Sequence, residues 1–184
     1  MEEPVGLRYE PGLLSASEEQ ALVERFEALE FGQVVIHGQA ARRTVRLFGY
    51  DYDFQARSVS PTEPVPQWLD EVRQRGARLA ELDPQRLVQA LISRYPPAAT
   101  IGWHRDAPAF GPTVVGVSLL SDCVMRFQRR VSGERRVYEL PLARRSGYAL
   151  SKAARSSWQH SIPAVATLRY SITFRTLRVD AGPR

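Results

Sequence analysis

The alternation of polar and apolar residues that decides the fold is clearest near the end of the chain, in Arg169-Tyr170-Ser171-Ile172-Thr173-Phe174-Arg175. Successive side chains of a β-strand point to opposite faces, so Tyr170, Ile172 and Phe174 share one face and the two arginines share the other. An arginine that faces a protein interior is costly unless an anion neutralises it. A solvated strand face is the alternative, and the choice depends on what the rest of the chain places opposite this strand.

Short β-rich runs recur throughout the second half of the chain, separated by turn-forming residues such as Pro96-Pro97 and Ser132-Gly133. They follow two helical segments, and this order is typical of an α+β fold whose strands form an antiparallel barrel or a double-sheet sandwich. The runs are Leu87–Tyr95, Thr113–Leu120, Val124–Arg130, Arg136–Leu140, Gly147–Ser151 and Ala166–Leu177.

The first third of the chain is predicted to be a supporting layer with a flap. Ser17-Glu18-Glu19-Gln20 predicts a capping box that begins a helix over about Glu18–Glu30. Short apolar runs between glycines and arginines indicate that Phe31–Tyr52 forms hairpins in a substrate flap rather than part of a buried sheet. The proline-rich connector Ser60–Pro66 follows, and helical spacing then predicts a second helix over Gln67–Leu82.

Length and composition restrict the class of protein. The chain has 184 residues, of which 43% are hydrophobic, which suffices for one domain with a real core. It has no run of 18 apolar residues, and its start, Met1-Glu2-Glu3-Pro4, lacks the apolar region of a secretory signal, so we expect no membrane partner. Cys123 is the only cysteine, which excludes an internal disulfide and fits a reducing compartment. We therefore expect a monomeric, cytoplasmic protein.

The charge favours a nucleic-acid partner. The formal net charge is +5 with a pI of about 9.8, and arginine supplies nearly all of the positive side. Arginine grips phosphates and stacks on bases, which suits nucleic acid. The alternative is a basic protein whose charge only aids solubility. Four arginine doublets have two possible interpretations: they either form a rim that contacts the phosphates of a nucleic acid or are solvated strand ends. The doublets are Arg42-Arg43, Arg129-Arg130, Arg135-Arg136 and Arg144-Arg145.

The strongest candidate for a metal site begins with the consecutive residues His104, Arg105 and Asp106. In an extended segment the side chains of His104 and Asp106 point the same way, whereas Arg105 faces away. A third ligand must come from another strand, and His160 is the only histidine further along the chain. Two histidines and one carboxylate form the facial triad of non-haem Fe(II) oxygenases, which leaves coordination positions open. The remaining histidine, His37, lies in the flap region, and we expect it at the surface.

This candidate metal site also decides between the two orientations of the arginine strand. Without it, a solvated face for Arg169 and Arg175 is the simpler interpretation. With it, we favour the interior orientation, in which the two arginines are placed to hold a dicarboxylate cosubstrate beside the metal.

These residues resemble the AlkB family of Fe(II)- and 2-oxoglutarate-dependent dioxygenases over about Tyr50–Arg178. The resemblance implies a double-stranded β-helix, or jelly roll, which agrees with the predicted strands. We therefore predict one domain over residues 1–184, with helical support and the flap over about 1–85 and the jelly-roll core over 86–178. The resemblance rests on five blocks in specific order and spacing: Leu91–Pro97, Trp103–Asp106, Val117–Leu119, Trp158–Pro163 and Leu168–Arg175.

The resemblance also implies roles for individual residues. It implies that the metal is Fe(II) and that its ligands are His104, Asp106 and His160. Arg169 would pair with the distal carboxylate of 2-oxoglutarate, and Tyr95 would donate its hydroxyl to the same end. Arg175 would approach the carboxylate beside the keto group. O₂ would be consumed with 2-oxoglutarate, which would leave as succinate and CO₂.

Several positions depart from the family pattern. Ser93 and Ser171, which we expect to contact the cosubstrate, stand where the family often has asparagine, and serine is shorter. Arg43 stands where some repair members carry a stacking tryptophan, and a guanidinium can also stack on a base. Ala107–Phe110 stands where the nucleic-acid repair members carry acidic residues that meet the target base. We expect four residues to face the substrate: Tyr50, Tyr52, Arg43 and Arg105.

The function predicted from these features is oxidative demethylation of alkylated nucleic acid, DNA or RNA, with DNA repair as one setting. The same oxygenase chemistry on a protein side chain or a small molecule is the alternative, and Arg43 and Ala107–Phe110 favour it. A non-catalytic jelly-roll binding module is a further alternative. The complete set of three candidate metal ligands counts against that last interpretation.

Overall fold

The computed structural model describes residues 2–36, 38–53 and 58–178, so the predicted surface position of His37 lies outside the described residues. Within these ranges, no helix is long and apolar enough to cross a membrane. The helices are α1 (Ala16–Glu27), α2 (Asp70–Leu79) and the short α3 (Lys152–Ser156), with 3₁₀ turns at Gln67–Leu69 and Pro84–Arg86. The strands are β1 (Leu7–Glu10), β2 (Gly32–Ile36), β3 (Gln39–Phe48), β4 (Tyr50–Asp53), β5 (Ser58–Pro61), β6 (Gln89–Tyr95), β7 (Ile101–His104), β8 (Phe110–Leu119), β9 (Cys123–Val131), β10 (Glu134–Leu142), β11 (Gly147–Leu150), β12 (Gln159–Ile162) and β13 (Arg169–Leu177).

Two antiparallel sheets face each other across a shared core. The major sheet has the order β1-β11-β8-β13-β6-β3-β2, and the minor sheet has the order β10-β9-β12-β7. Val114 and Leu150 of the major sheet are buried in one cluster with Phe127 and Ile162 of the minor sheet. This arrangement is the predicted double-stranded β-helix.

The helices α1 and α2 cover the outer face of the major sheet. Tyr170, Ile172 and Phe174 of the central strand β13 are buried in one core with Phe26 of α1 and Val72 of α2. The ring centroids of Phe26 and Tyr170 lie 5.2 Å apart. The apolar face of β13 therefore packs against the helices, and this leaves the arginine face directed toward the interior, as favoured from the sequence. The opposite face lines a cavity between the sheets and carries Arg169, Ser171, Thr173 and Arg175.

The segment predicted as flap hairpins mostly belongs to the major sheet instead. Thr44 to Phe48 of β3 pair with β6, which lies beside the central strand, and β2 pairs with β3 at the sheet edge. The arginines that suggested a solvated flap are accommodated individually, since Arg46 pairs with Glu63 and Arg43 turns into the space between the sheets. Among the described residues, β4 and β5 alone form a separate two-stranded hairpin.

The first helix begins two residues earlier than the predicted capping box. Ser15 is the N-cap residue, because its hydroxyl accepts a hydrogen bond from the backbone N–H of Glu18. The Glu18 carboxylate accepts in return from the backbone N–H of Ser15 at 2.7 Å. Ser15 and Ser17 both precede acidic residues, but only Ser15 has a glutamate at the third position of the capping box.

Glu19 is not part of the capping box and makes contacts elsewhere in the structure. Its side chain is only 1% exposed. One carboxylate oxygen accepts from the backbone N–H of Leu120 at 2.8 Å, and the other accepts from Arg144 Nε at 2.6 Å. Arg145 Nη1 lies 3.6 Å from that second oxygen. Glu19 therefore fastens α1 to the chain segments on either side of the β9–β10 hairpin.

We expect Glu19→Ala to lower the free energy of unfolding by about 1–3 kcal/mol, because it leaves the Leu120 N–H unpaired. Arg144 and Arg145 are partly exposed and regain water when the carboxylate is removed, so the loss of their ion pairs adds little. Urea unfolding followed by circular dichroism measures the difference. The exposed Glu27→Ala is the matched control and should stay within about 0.5 kcal/mol of the parent protein. Equal effects of the two substitutions would contradict the role assigned to Glu19.

Candidate active site

The cavity between the two sheets brings together most of the residues singled out in the sequence. Its volume is about 40 Å³, room for about three waters at about 10–15 Å³ each, so a dicarboxylate enters only if lining side chains move. Apolar side chains such as Val114, Met125 and Ile162 form part of its wall. The polar lining consists of Arg43, Ser93, Tyr95, His104, Asp106, Tyr148, His160, Arg169, Ser171, Thr173 and Arg175.

Strand pairing in the minor sheet brings the two candidate histidine ligands together. In the register of β12 with β7, His160 lies directly opposite His104, and their ring centroids are 4.3 Å apart. Asp106 follows β7, and its Oδ2 lies 3.7 Å from His160 Nε2. Residues separated by more than 50 positions in sequence therefore converge because two short strands are neighbours.

The electrostatic state of these histidines suits metal binding. Burial lowers the pKa of His104, and burial together with the neighbouring His104 lowers the pKa of His160 to about 4. Both imidazoles are therefore neutral near pH 7, which is the form that binds metals. His104 Nδ1 lies 2.9 Å from the Gly102 carbonyl oxygen, so the Nδ1–H tautomer donates there and leaves Nε2 available.

The three side chains have the donor chemistry of an Fe(II) site, two imidazoles and one carboxylate. Within the part of the chain that the structure describes, no three His, Cys, Asp or Glu side chains already stand as a complete metal-binding group. Asp106 Oδ1 is held by Arg175, whereas Oδ2 faces His160. The residues therefore fit the metal in type and location, and binding requires adjustment of their side chains.

Arg175 lies against the carboxylate of Asp106. Its Nε and Nη2 both lie 2.6 Å from Asp106 Oδ1, and its Nη1 donates to Gln89 Oε1 at 2.8 Å. Burial alone would raise the pKa of Asp106, but Arg175 and then the two histidines outweigh it and lower that pKa, so the carboxylate stays ionised. The family resemblance implied that Arg175 approaches a carboxylate of the cosubstrate. In the structure without ligands, Arg175 instead binds and orients the candidate metal ligand Asp106.

Arg169 is a buried cation with unused hydrogen-bonding capacity. It is 1% exposed, and its Nε donates to Ser118 Oγ at 3.0 Å. Its guanidinium carbon lies 4.9 Å from the centroid of the Tyr95 ring. Among the described residues, its buried Nη1 has no hydrogen-bond partner. A buried, unpaired guanidinium N–H beside a tyrosine is suited to a carboxylate, so the residues here fit 2-oxoglutarate.

Two serines line the cavity beside Arg169 and Tyr95. Ser171 of β13 is directly opposite Ser93 of β6, and the next inward-facing pair along the same strands is Arg169 and Tyr95. Both serines are buried. The structure therefore brings together all the residues predicted to contact the cosubstrate.

The predicted substrate-facing residues do not share one surface. Arg43 is 9% exposed and lies inside the cavity, where its Nη1 donates to Ser93 Oγ at 3.1 Å. Tyr50 and Tyr52 lie on β4 outside the cavity lining, and the Tyr52 ring centroid is 6.0 Å from that of Phe110. Phe110 in turn lies against the Arg175 guanidinium, which is 4.9 Å from its ring centroid. The β4–β5 hairpin therefore reaches the site through Phe110.

Arg105 faces the other side of the minor sheet, as its position between His104 and Asp106 implied. It lines a groove of about 600 Å³, which we call the arginine groove. Arg135 lies over the Trp103 ring in this groove, 5.6 Å from the ring centroid. The lining residues are Trp103, Arg105, Gln128, Arg129, Arg130, Arg135, Ser157 and Gln159.

Several residues of the site were not predicted from sequence, among them Tyr148 and Thr173 of the cavity lining. Ser118 accepts from Arg169; it lies within the block Val117–Leu119 of the family resemblance, but no role was assigned to it. Arg155 donates to the backbone carbonyl groups of Asp106, Ala107 and Phe110 at 3.3, 3.1 and 3.2 Å. It thereby holds in place the segment that departs from the family pattern, and nothing in the local sequence around Arg155 indicated this contact.

Comparisons with known proteins agree with this geometry. A model of the 2OG-Fe(II) oxygenase superfamily matches residues 6–175. The tRNA (carboxymethyluridine(34)-5-O)-methyltransferase ALKBH8 of Mus musculus is 28% identical over 166 residues, which cover 86% of this chain and 24% of the relative. The ALKBH8 of Macaca fascicularis is 27% identical over 165 residues, with the same coverage. This chain therefore spans about a quarter of the length of these curated relatives.

A solved structure, that of OsALKBH1, shows the same fold. It superposes with a TM-score of 0.71 at 14% sequence identity and covers 96% of this chain and 98% of its own. The superfamily match extends over most of the chain, from β1 to the end of the arginine-bearing face of β13. The chain belongs to the 2OG-Fe(II) oxygenase superfamily, as an AlkB-like dioxygenase that requires Fe(II), 2-oxoglutarate and O₂.

Proposed function

We propose that this chain oxidatively demethylates alkylated nucleic acid, DNA or RNA. The observation that carries the substrate class is the arginine groove, in which four arginines and Trp103 line one concave surface. Among the described residues no acidic side chain is part of the lining, and one of the four arginines, Arg129, pairs with Glu2. Guanidinium groups bind phosphates, and an indole ring offers a stacking surface for a base. The printed name of the ALKBH8 relatives refers to tRNA, which supports RNA as a substrate class to test.

The groove and the candidate metal ligands lie on opposite faces of the same strands. Trp103 and Arg105 flank His104, and Gln159 precedes His160. Because β7 is an edge strand of the minor sheet, the path from one face to the other runs around a single strand. We infer that a polynucleotide whose backbone follows the groove turns one nucleotide around β7 toward the cavity, as base-flipping enzymes extrude a nucleotide from its stack.

In this proposal the chain's own residues bind and orient the reactants. Fe(II) is held by His104, Asp106 and His160. Arg175 keeps the Asp106 carboxylate ionised and orients its free oxygen toward His160. Arg169 and Tyr95 hold a carboxylate of 2-oxoglutarate, and Ser93 and Ser171 lie beside it. When bound, Fe(II), 2-oxoglutarate and O₂ supply the oxidising power that converts a C–H bond to C–OH, with succinate and CO₂ as coproducts.

The apolar part of the cavity wall has a separate task. Ile101, Val114, Met125 and Ile162 surround the polar groups and limit the access of water. A methyl group hydroxylated on a nucleobase nitrogen then breaks down without further help to formaldehyde and the bare base. The alternative retains this chemistry but takes a protein side chain or a small molecule, with the arginine groove as a solvated surface.

A turnover screen tests the proposal. The purified protein, with Fe(II), ascorbate and 2-oxoglutarate, is offered N-methylated DNA, N-methylated RNA, their unmethylated counterparts and peptide pools. We expect succinate and formaldehyde in equal amounts with at least one methylated oligonucleotide and only background with its unmethylated counterpart. Turnover restricted to peptides or small molecules would contradict the nucleic-acid proposal and favour the alternative.

The same screen is run with His104→Ala, which we expect to abolish turnover and to weaken Mn(II) binding, measured by calorimetry, by more than about 100-fold. His37→Ala is the matched control, because His37 is not among the candidate ligands, and it should retain both properties. Unchanged Mn(II) affinity in His104→Ala would show that the metal ligands are assigned incorrectly, whatever the substrate.

A charge-matched pair of triple variants tests the arginine groove. We expect Arg105→Gln/Arg130→Gln/Arg135→Gln to weaken binding of single-stranded oligonucleotides and to reduce the slope of log K against log salt by about 2, since each lost phosphate contact removes about 0.7 from it. Arg25→Gln/Arg78→Gln/Arg86→Gln removes the same charge from exposed positions elsewhere. Fluorescence anisotropy over a salt series measures both. Equal losses in the two variants would mean that net charge, rather than the groove, attracts nucleic acid.

A further inference from the structure

Arg43 lies inside the cavity next to two residues of the candidate cosubstrate site. It stands on β3, one strand beyond β6 in the major sheet, and its side chain turns inward. Its Nη1 donates to Ser93 Oγ at 3.1 Å, and its guanidinium carbon lies 5.9 Å from the Tyr95 ring centroid. Arg169 lies against the same ring at 4.9 Å. Two guanidinium groups therefore flank Tyr95.

The described part of the chain supplies no carboxylate to neutralise the charge of Arg43. No Asp or Glu among the described residues forms an ion pair with Arg43. Burial, and to a smaller extent the positive charge of Arg175, lower the pKa of Arg43. Arginine nevertheless stays protonated in proteins, so the cavity without ligands holds a largely buried cation whose one hydrogen-bond partner among the described residues is the Ser93 hydroxyl. Such a cation is costly unless an anion binds to it.

The lining of the cavity indicates where that anion binds. Ser93 and Ser171 are paired on adjacent strands and both line the cavity, and the Arg43 guanidinium donates to Ser93. Asp106, the one carboxylate among the described lining residues, is already held by Arg175. Of the three arginines in the cavity, Arg43 and Arg169 thus remain for an incoming anion.

We propose that Arg43 is a cosubstrate-binding residue, whose guanidinium donates hydrogen bonds to a carboxylate of 2-oxoglutarate above Ser93 and Tyr95. This assignment differs from the base-stacking role predicted from the sequence. It rests on the placement of the cosubstrate at Arg169 and Tyr95 in the proposed function, but not on the identity of the oxidised substrate. With Arg43, the cosubstrate has a second arginine besides Arg169, in a cavity where Ser93 and Ser171 supply only short hydroxyl groups.

Equilibrium binding tests the proposal without turnover. Calorimetry measures the affinity of the Mn(II)-loaded protein for 2-oxoglutarate in the parent and in Arg43→Met, Arg43→Lys and Arg169→Gln. We expect Arg43→Met to weaken binding by about 10- to 100-fold, the usual effect of losing a hydrogen bond to a charged group. Arg43→Lys keeps the charge without the forked geometry and should lie between the parent and Arg43→Met.

The melting temperature of the ligand-free protein distinguishes ligand binding from a structural role. Methionine fills much of the same volume without a charge, so Arg43→Met should melt higher than the parent when no cosubstrate is present. Saturating 2-oxoglutarate should then raise the melting temperature of Arg43→Met less than that of the parent. If Arg43 only braces Ser93, Arg43→Met should instead melt lower and bind 2-oxoglutarate with unchanged affinity.

The two possible failures are distinguishable. If Arg169→Gln binds 2-oxoglutarate as tightly as the parent, the cosubstrate placement in the proposed function is wrong. If Arg169→Gln weakens binding but Arg43→Met does not, the placement stands and the role of Arg43 is overturned. In the second case, a loss of oligonucleotide affinity in Arg43→Met would return Arg43 to the substrate-facing role predicted from the sequence.

Discussion

The buried ion pair between Arg175 and Asp106 is the interaction on which the candidate active site depends. It joins β13 of the major sheet to the end of β7 in the minor sheet, with two guanidinium nitrogens 2.6 Å from one carboxylate oxygen. The Asp106 side chain is almost fully buried and that of Arg175 is 12% exposed, so removal of Arg175 leaves the Asp106 charge buried and unpaired, which typically costs about 3–5 kcal/mol. The pair keeps Asp106 ionised and turns its free oxygen toward His160. One contact thus links the two sheets at the site and keeps a candidate ligand ionised.

The charges around this pair explain why the site is suited to a metal and a dicarboxylate. Arg169 and Arg43 are buried cations that no carboxylate among the described residues neutralises. The histidines are held neutral, so they add ligand atoms without adding charge. A dianionic keto acid that binds the metal and the arginines together satisfies groups that are costly to leave unpaired. The ligand-free protein therefore carries an electrostatic cost, which the ligands relieve once the lining side chains have adjusted to bind them.

The features that could be predicted from the sequence are those set by the local period of a strand or by residue types that occur only a few times in the chain. The two faces of Arg169–Arg175 and the shared direction of His104 and Asp106 both follow from the period of two in a strand. His160 was identified because the chain contains only three histidines, and the structure supplies the reason in the pairing of β12 with β7. The family resemblance added the fold and the chemistry.

The remainder depends on contacts between distant parts of the chain. In the doublet Arg42-Arg43 either residue is able to face inward, and the pairing of β3 with β6 selects Arg43. The contact between Arg169 and Ser118 spans 51 residues, and that between Arg155 and the Asp106 carbonyl spans 49. No local pattern encodes such pairs. Arg105 was correctly oriented away from the metal, but the groove that it lines forms only when β7, β9, β10 and β12 are side by side.

An anaerobic crystal structure of the protein with Fe(II) and 2-oxoglutarate tests the central claim most directly. We predict one metal ion bound by His104 Nε2, Asp106 Oδ2 and His160, with a carboxylate of 2-oxoglutarate on the Nη1 atom of Arg169 that lacks a partner without ligands. Iron bound elsewhere, or 2-oxoglutarate that leaves Arg169 unpaired, would contradict the assignment of the cavity between the sheets as the active site.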